Sequence, residues 1–410
     1  MKAKKNRIEA SFSQKRTKYN NVMLILNLIR KHRQVSRTML SDMTGLSAST
    51  VSLLIDELME GNLVKESGTE QSGSRGRRQT MLELNEDGGY FVVIEAISTG
   101  LIFHLYNLLC ERVETLKYKA PKSKTEHVTC NYVRKLLDKN GIADGLLFGI
   151  NIIYPGVFDR LTQKLIYSVI VPEKSFFGDE DISMLKDEFP EAKLLLSNYS
   201  CVVAYAEYAF FDQPMNKTIL SVNIFEAVSA AAIILNEKGE RLYNFPIEFG
   251  HVIVDKEGPL CRCGNRGCLE AIVGSSKLFA DLVEKAGLTL AYTDEFFDPV
   301  NVKAMGLVKE EMEGGNKAII QQMDAVAETI AYALVNLTNI IDPSCIFING
   351  LITLLGDSFI AKIKKVYNQH NLKHLEVPNL IYTSSIDNNK RLKGGALMVM
   401  DEVFAFSYEN

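Results

Sequence analysis

A histidine and three cysteines lie close together in the chain and could bind a metal ion. His251 is followed by Cys261, Cys263 and Cys268, so three of the seven cysteines fall within eight residues. One imidazole and three thiolates make a closed tetrahedral shell for zinc and leave no position for a reactive water. The spacing therefore predicts a structural zinc site.

Two other interpretations of these cysteines are a disulfide with one spare thiol and ordinary buried thiols. Cys261 and Cys263 are too close in sequence for an unstrained disulfide. Clustered cysteines beside a histidine, in a chain without secretory features, more often bind metal. The glycines between the cysteines also allow the tight turns that a tetrahedral site needs.

The residues around this cluster resemble a family signature. Glu248, Gly250 and His251 are followed by Cys-x-Cys-Gly-x-x-Gly-Cys-Leu-Glu, which ends at Glu270. This stretch is similar to the signature of the ROK family, which comprises repressors and sugar kinases. The resemblance implies a two-lobed actin and sugar-kinase-like α/β fold. Because some members phosphorylate sugars and others bind DNA, the rest of the chain has to discriminate between these functions.

Length and composition describe an ordinary soluble protein with more than one domain. The chain has 410 residues, of which 47% are hydrophobic and 23% charged, and this length suggests two or three domains. It contains neither an apolar run of about 18 residues nor a signal-like start. We expect a cytoplasmic protein without a membrane segment, and the odd number of cysteines agrees with a reducing compartment.

The N-terminal segment is strongly basic. The first 40 residues contain eleven Lys or Arg against one acid, on a chain whose net charge is −4. This asymmetry favours a polyanion as partner. A solvated, disordered tail over residues 1–18 is an equally compatible interpretation.

Three short helical patterns follow, typical of a helix-turn-helix. They run from Asn20 to Lys31, from Arg37 to Thr44 and from Ser49 to Met59, with Ser36 as N-cap of the second helix and Gly45 at its end. The residues predicted to face inward are Met39, Leu40, Met43, Val51, Leu54, Ile55 and Leu58.

The start of the third helix carries small hydroxyl side chains that can approach phosphates and base edges. We predict DNA contacts here; the alternative is a three-helix module for protein interaction. The candidate DNA-binding residues of this part are Arg37, Ser47, Ser49, Thr50 and Ser52.

Two short strand patterns, near Leu63 and over Thr80–Asn85, flank a polar loop and predict the wing of a winged helix. Arg75, Arg77 and Arg78 in this loop could enter a minor groove. A flexible linker with surface charge is the alternative. The segment from Asn20 to Asn85 also resembles the DNA-binding domain of the ROK repressors.

The predicted organisation has three parts: a basic tail over residues 1–18, a winged helix-turn-helix over 19–87 and a two-lobed domain over 88–410. In the third part strands alternate with helices, as expected for α/β lobes. The pattern predicts a long helix over Lys317–Ile341, a strand over Cys345–Gly350 and a final helix beginning near Lys393. Gly287 to Met312 is expected to form a helical excursion on the surface.

The resemblance implies glycine-rich phosphate loops and a catalytic aspartate, and this chain departs from both. Glu95–Thr99 and Glu226–Ser229 stand at two of the loops without any glycine, and the third is reduced to Asn349–Leu351. Tyr199 stands at the catalytic position, and a phenol is a poor general base near pH 7. We therefore predict that the chain has no catalytic residue and no kinase activity.

The residues that correspond to the family's sugar contacts match better than those of its phosphate loops. The resemblance implies sugar contacts at Asn198, Glu248, His251 and Glu270, and these predict a sugar or sugar-phosphate effector. The alternative is that these residues remain because they support the zinc fold. For His251 a metal ligand is the stronger expectation than a direct sugar contact.

Together these features predict a transcriptional regulator of carbohydrate genes, acting as a repressor. Its expected partners are double-stranded operator DNA, a sugar or sugar-phosphate effector and further copies of itself, in a homodimer or homotetramer. An active ATP-dependent sugar kinase with a DNA-binding head is one alternative. A regulator that answers to a protein partner is another.

Overall fold

The structure, a computed structural model, describes most of the chain. The described residues are 2–71, 78–120, 128–159, 162, 164–168, 177–212, 217–293, 299–372 and 381–406. Among them, none of the helices combines the length and the hydropathy that a bilayer-crossing segment requires.

The N-terminal unit, called the head below, contains three helices and a three-stranded antiparallel sheet of strand order β1-β3-β2. Its elements are α1 (Lys2–His32), β1 (Val35–Ser36), α2 (Arg37–Thr44), α3 (Ala48–Glu60), β2 (Val64–Gln71) and β3 (Arg78–Leu84). The Ser36 side chain accepts a hydrogen bond from the backbone N–H of Met39, and Gly45 ends α2 in the left-handed region at φ 70°. Helix, turn, helix and hairpin follow one another in the order predicted for a winged helix-turn-helix.

The head differs from the sequence expectation in three details. Helix α1 begins at Lys2 rather than Asn20, and the hairpin strands extend to Gln71 and from Arg78. The prediction that Met39 and Met43 face inward is wrong, because 40% and 41% of these side chains are exposed. The two methionines are four residues apart and share one face, while the two-turn helix buries only the stripe around Leu40. The inward-facing residues predicted for α3 are all buried.

The first lobe is built on a five-stranded mixed sheet of order β10-β7-β4-β5-β6. Its elements are β4 (Tyr90–Ile97), β5 (Gly100–Asn107), β6 (Arg112–Lys119), α4 (Thr129–Lys139), β7 (Leu147–Tyr154), β8 (Val157–Phe158), β9 (Leu165–Tyr167), α5 (Asp179–Glu188), β10 (Lys193–Asn198) and α6 (Tyr199–Phe210). Strands β4 to β6 form an antiparallel meander, and β7 and β10 add in parallel.

The second lobe repeats this topology with the strand order β13-β12-β11-β14-β15. Its elements are β11 (Thr218–Ile224), β12 (Val228–Leu235), β13 (Arg241–Ile247), α7 (Glu270–Val273), α8 (Ser275–Ala286), α9 (Pro299–Glu313), α10 (Lys317–Ile341), β14 (Cys345–Gly350), α11 (Asp357–His370), β15 (Ile381–Thr383) and α12 (Asn388–Val403). The two similar α/β halves confirm the predicted fold. The bounds predicted for α10 and β14 are confirmed, whereas α12 begins at Asn388 rather than near Lys393.

Helices α6 and α12 pack together and both begin at the cleft between the lobes. At Gly394 in α12, an added Cβ would lie 3.0 Å from the Cβ of Ala206 in α6. The glycine therefore lets the two helix backbones approach closely. Helix α12 also crosses β4 and β7, so the end of the chain returns to the first lobe.

The far end of α12 is bonded to the head. Asp401 forms an ion pair of 2.7 Å with Arg30 in α1 and accepts a hydrogen bond from the hydroxyl of Tyr205. The side-chain amide of Asn27 donates to the backbone carbonyl of Phe404 at 3.1 Å. The apolar side chains of the head belong to the same buried cluster as those of α6 and α12. One packed core therefore joins the head to the two-lobed domain.

Candidate functional site

The cleft between the lobes contains a cavity of about 870 Å³. This volume falls within the range of about 300–1,000 Å³ that is typical of small-molecule sites. The walls come from the β4–β5 turn, the segment after β7 and the start of α6 on one side. The β11–β12 turn and the segment around His251 line the other side, and the start of α12 lies beside β4 on the first-lobe side.

The four predicted metal ligands converge beside this cavity. Their ligand atoms all lie within 4.8 Å of one another. Cys261 Sγ lies 3.7 Å from His251 Nδ1, and the Sγ atoms of Cys263 and Cys268 are 3.7 Å apart. A tetrahedron with metal–sulfur bonds of about 2.3 Å has edges of about 3.8 Å. The four side chains can therefore hold one tetrahedral ion, and the sulfurs are too far apart for a disulfide.

The loop that carries these ligands depends on glycine. Gly267 has a φ of 66°, and an added Cβ there would lie 1.4 Å from the backbone oxygen of Asp255. Only glycine accepts both this conformation and this close approach. Gly267 therefore fixes the turn that brings Cys268 back to Cys263.

The four residues that the resemblance assigns to a sugar all line the cavity: Asn198, Glu248, His251 and Glu270. Glu248 is exposed. The Nδ1 atom of His251 faces the cysteines. The structure therefore brings the four residues together at one cavity.

Two of these residues already bond within the protein. Asn198 caps α6, because its Oδ1 accepts from the backbone N–H of Ser200 at 2.9 Å, and its Nδ2 donates to the carbonyl of Gly156 at 2.7 Å. Glu270 accepts from Arg262 Nε at 2.9 Å and from the backbone N–H of Val228 at 3.0 Å. These bonds fix the orientation of both side chains toward the cavity.

The β11–β12 turn is held by its neighbours. Glu226 accepts a hydrogen bond of 2.6 Å from the side-chain amide of Asn301, and its backbone carbonyl accepts one of 3.1 Å from Arg262. The N–H of Val228 is directed to Glu270. A backbone donor at this turn is thus already engaged by a carboxylate of the protein.

The first-lobe side of the cavity contains a buried ion pair that sequence reasoning missed. Arg391 in α12 is 4% exposed and donates to the carboxylate of Glu95, and its guanidinium lies 4.8 Å from the centre of the Tyr199 ring. Burial raises the pKa of Tyr199 well above its usual value, so the phenol stays protonated. Nothing in the sequence singled out Arg391, because Lys390 and Lys393 stand beside it at the start of the same helix.

His104 lies beside this pair as a neutral residue. Burial and the nearby charge of Arg391 lower the pKa of His104 to about 3. Its Nδ1 lies 3.0 Å from the hydroxyl of Thr115. Glu95 therefore takes its positive partner from Arg391 and not from the imidazole.

The surface of the head presents part of the predicted DNA-binding set. The hydroxyl of Ser47 lies 2.9 Å from that of Ser49 and 2.8 Å from that of Thr50, and Ser47 caps α3. Ser52 is half-buried. Arg37 forms an ion pair of 2.8 Å with Asp56 on the same face.

Of the three predicted wing arginines, Arg78 alone belongs to a described strand. Arg75 and Arg77 lie outside the described residues. Arg78 is the first residue of β3, but its side chain lies outside the description as well. Their DNA contacts stay a prediction.

A carboxyl at the junction of the lobes is strongly perturbed. Glu207 in α6 is 2% exposed, and burial raises its pKa to about 7 although hydrogen bonds from Ser384 and Asn349 oppose the shift. Ser384 and Asn349 belong to the second-lobe sheet or its continuation, so this carboxyl sits where the lobes meet.

Comparison with known sequences gives one family. The sequence profile of the ROK family matches residues 93–402. A xylose repressor of Bacillus spizizenii W23 is 30% identical over 269 residues, which cover 65% of this chain and 68% of the repressor. The DNA-binding transcriptional dual regulator NagC of Escherichia coli K12 is 23% identical over 389 residues, which cover 92% of each chain.

Comparison with solved structures gives the same fold. A ROK family transcriptional regulator, described as a homologue of the E. coli MLC protein, has a TM-score of 0.72 at 18% identity and covers 95% of this chain and 97% of its own. The ROK hexokinase of Thermus thermophilus has a TM-score of 0.59 at 17% identity and covers 77% of this chain and 99% of its own. The regulator therefore accounts for more of this chain than the complete kinase does.

The raised pKa of Glu207 predicts a pH-dependent effect of the variant Glu207→Gln. The folded protein holds this proton more tightly than the unfolded chain, so the carboxyl costs stability as pH rises from about 5 to 8. Urea unfolding should therefore show Glu207→Gln gaining on the wild type over that range, by about 2–3 kcal/mol at pH 8.

The matched control is Glu237→Gln, which removes the same charge from an exposed turn. It should change the free energy of unfolding little at any pH. A Glu207→Gln difference that does not vary with pH would contradict the assignment.

Proposed function

The chain belongs to the ROK family, and from this premise we propose that it is a DNA-binding transcriptional repressor of carbohydrate genes that responds to a sugar. One observation carries the proposal: a head of three helices and a hairpin is packed onto a two-lobed domain whose cavity is lined by Asn198, Glu248, His251 and Glu270. The xylose repressor and NagC support the same assignment by name, and both are related to this chain over most of their length.

The head would bind double-stranded operator DNA. The domain division that we propose is a basic segment 1–18, a winged helix-turn-helix 19–87 and an effector and dimerisation domain 88–410. The hydroxyl cluster at the start of α3 lies where a recognition helix contacts phosphates and base edges, and the wing would add Arg75, Arg77 and Arg78. In a twofold homodimer, the two recognition helices would reach half-sites separated by about 34 Å or a multiple of it.

The effector would bind in the cavity and change the angle between the lobes. Helices α6 and α12 both begin there, and α12 ends at the ion pair between Asp401 and Arg30. A change of lobe angle would therefore reach the head through packed helices. The sugar can shift the equilibrium only by its differential affinity for the two arrangements.

Phosphoryl transfer is not part of the proposed function. Tyr199, which stands at the family's catalytic position, is a buried phenol with a raised pKa and cannot serve as a general base near pH 7. The N–H of Val228, in the turn that resembles a phosphate loop, is already bonded to Glu270. The rival function, an active sugar kinase, would need a general base at the position of Tyr199 and a backbone N–H of Val228 that is free to bind phosphate.

We expect no phosphorylation when the protein is incubated with ATP, magnesium and common pentoses, hexoses and amino sugars. ADP release measured with a coupled assay should stay at the level without sugar, while a known sugar kinase in the same assay shows turnover. Sugar-dependent ADP release that Tyr199→Phe abolishes would establish the rival function.

The metal centre would hold zinc as a structural ion. His251, Cys261, Cys263 and Cys268 supply the ligands, and the loop they pin carries Arg262, which bonds both Glu270 and the β11–β12 turn. Zinc would thus set the position of cavity residues without taking part in a reaction.

Replacing one ligand tests the metal centre. Cys263 is exposed, so Cys263→Ser changes packing little and acts mainly on metal binding. We expect metal analysis to show loss of about one zinc per chain, and calorimetry to show a lower melting temperature of the two-lobed domain with the head still folded. Cys130→Ser, outside the cluster, is the control and should keep both values. Full zinc content in Cys263→Ser would exclude this ligand set.

DNA binding is tested by selecting genomic fragments that the protein binds, with and without sugars, and then measuring affinity for the selected site. The double variant Arg77→Ala, Arg78→Ala should bind more weakly and lower the slope of log K against log salt by about two per subunit. Lys364→Ala, Lys365→Ala on α11 removes the same charge at a distance from the head and is the control. Unchanged affinity and salt slope in the double arginine variant would contradict the prediction that these arginines contact DNA.

A further inference from the structure

The charges around the cavity discriminate between a sugar and its phosphate ester. The acidic residues that line the cavity are Glu95, Glu248, Glu270 and Asp387, and among the described residues the only Lys or Arg lining it is Arg391. With a bound Zn²⁺, the three adjoining thiolates and the neutral imidazole would leave a net charge of about −1. The described part of the lining is therefore acidic.

The one cationic side chain of this lining is already committed. Arg391 donates to Glu95 and to the side-chain oxygen of Asn388, and it stacks over Tyr199. A phosphate that recruited Arg391 would leave the buried Glu95 without its positive partner, at a large energetic cost. Arg262, the other nearby cation, is directed to Glu270.

Two of the four carboxylates have no salt bridge within the described part of the chain. Glu248 is exposed to the cavity, and Asp387 accepts from the backbone N–H of Lys390 at 2.7 Å at the start of α12. Both can accept hydrogen bonds from sugar hydroxyls. Both would repel a phosphate dianion, for which the described part of the lining offers no uncommitted Lys or Arg.

A buried amide adds a neutral polar group. Asn223 lines the cavity and is 1% exposed, and neither its side-chain oxygen nor its nitrogen has a hydrogen-bond partner among the described residues. Its neighbours across the sheet are Ser229 and Asn349. A hydroxyl group both donates and accepts, so it satisfies both atoms of the amide, whereas phosphate oxygens satisfy only the donor.

We propose that the effector is an uncharged, unphosphorylated sugar, held by its hydroxyls between the carboxylates and the amide of Asn223. The inference rests on the proposed sugar response and narrows its ligand. The acidic residues of the described lining and the commitment of Arg391 to Glu95 both act against binding of a phosphate ester of the same sugar.

The test compares matched pairs on the full-length protein. D-xylose, D-glucose and N-acetyl-D-glucosamine are each titrated beside their phosphate esters by calorimetry, with inorganic phosphate as a further probe. For the sugar that binds, we expect its ester to bind at least about 100-fold more weakly. The same ligands are then tested for release of the protein from its selected DNA site.

A charge-removing variant separates electrostatics from shape. Glu248→Gln keeps the size of the side chain and should weaken binding of the neutral sugar about 10-fold. It should also reduce the ratio of the dissociation constants of the ester and the sugar, because one repelling charge is removed. Glu237→Gln, on the exposed β12–β13 turn, removes the same charge and should change neither. An unchanged ratio in Glu248→Gln would overturn the electrostatic argument.

The remaining outcomes are distinguishable. An ester that binds as tightly as its sugar, or more tightly, overturns this inference and leaves a sugar-phosphate-responsive repressor in place. Selected DNA that is bound with no response to either form overturns the sugar response itself, and the inference with it. Release of DNA by the free sugar alone supports both.

Discussion

The ion pair between Arg391 and Glu95 is the interaction on which the cavity depends. It joins the first turn of the last helix to the first strand of the two-lobed domain, across 296 residues of sequence, and both side chains are almost fully buried. Removing one partner of such a pair costs about 3–5 kcal/mol, because the other charge is left without compensation. The pair lies on the first-lobe side of the cavity and places the guanidinium of Arg391 over the ring of Tyr199. The positive charge of Arg391 is thereby neutralised by Glu95.

The sequence allowed the parts of the fold that have local signals to be predicted. Ser36 and Gly45 mark the ends of α2 by capping chemistry, and the apolar periodicity of α10 identifies its full length. The convergence of His251 with Cys261, Cys263 and Cys268 was also predictable, because all four lie within eighteen residues. Local signals failed where tertiary contacts decide, as for Met39 and Met43, which a two-turn helix leaves on its outer face.

The candidate site was only partly predictable for a related reason. Asn198, Glu248, His251 and Glu270 could be named from a resemblance, and the structure brings them to one cavity. Arg391 could not, since its partner lies at the other end of the domain and no spacing rule connects them. The bond between Glu270 and Arg262 also joins the two interpretations of Glu270, because a side chain held by the loop of the predicted metal ligands is at once structural and positioned for a ligand.

Helix α12 spans about 24 Å from the cavity to the head. Its close contact with α6 at Gly394 opposes bending, so a change at the cleft would tilt the helix as one rigid unit. A rotation of about 5° at the cleft displaces the far tip by about 2 Å. Asp401 and Phe404 bond the end of α12 to α1. A tilt of this one helix would therefore change the orientation of the head.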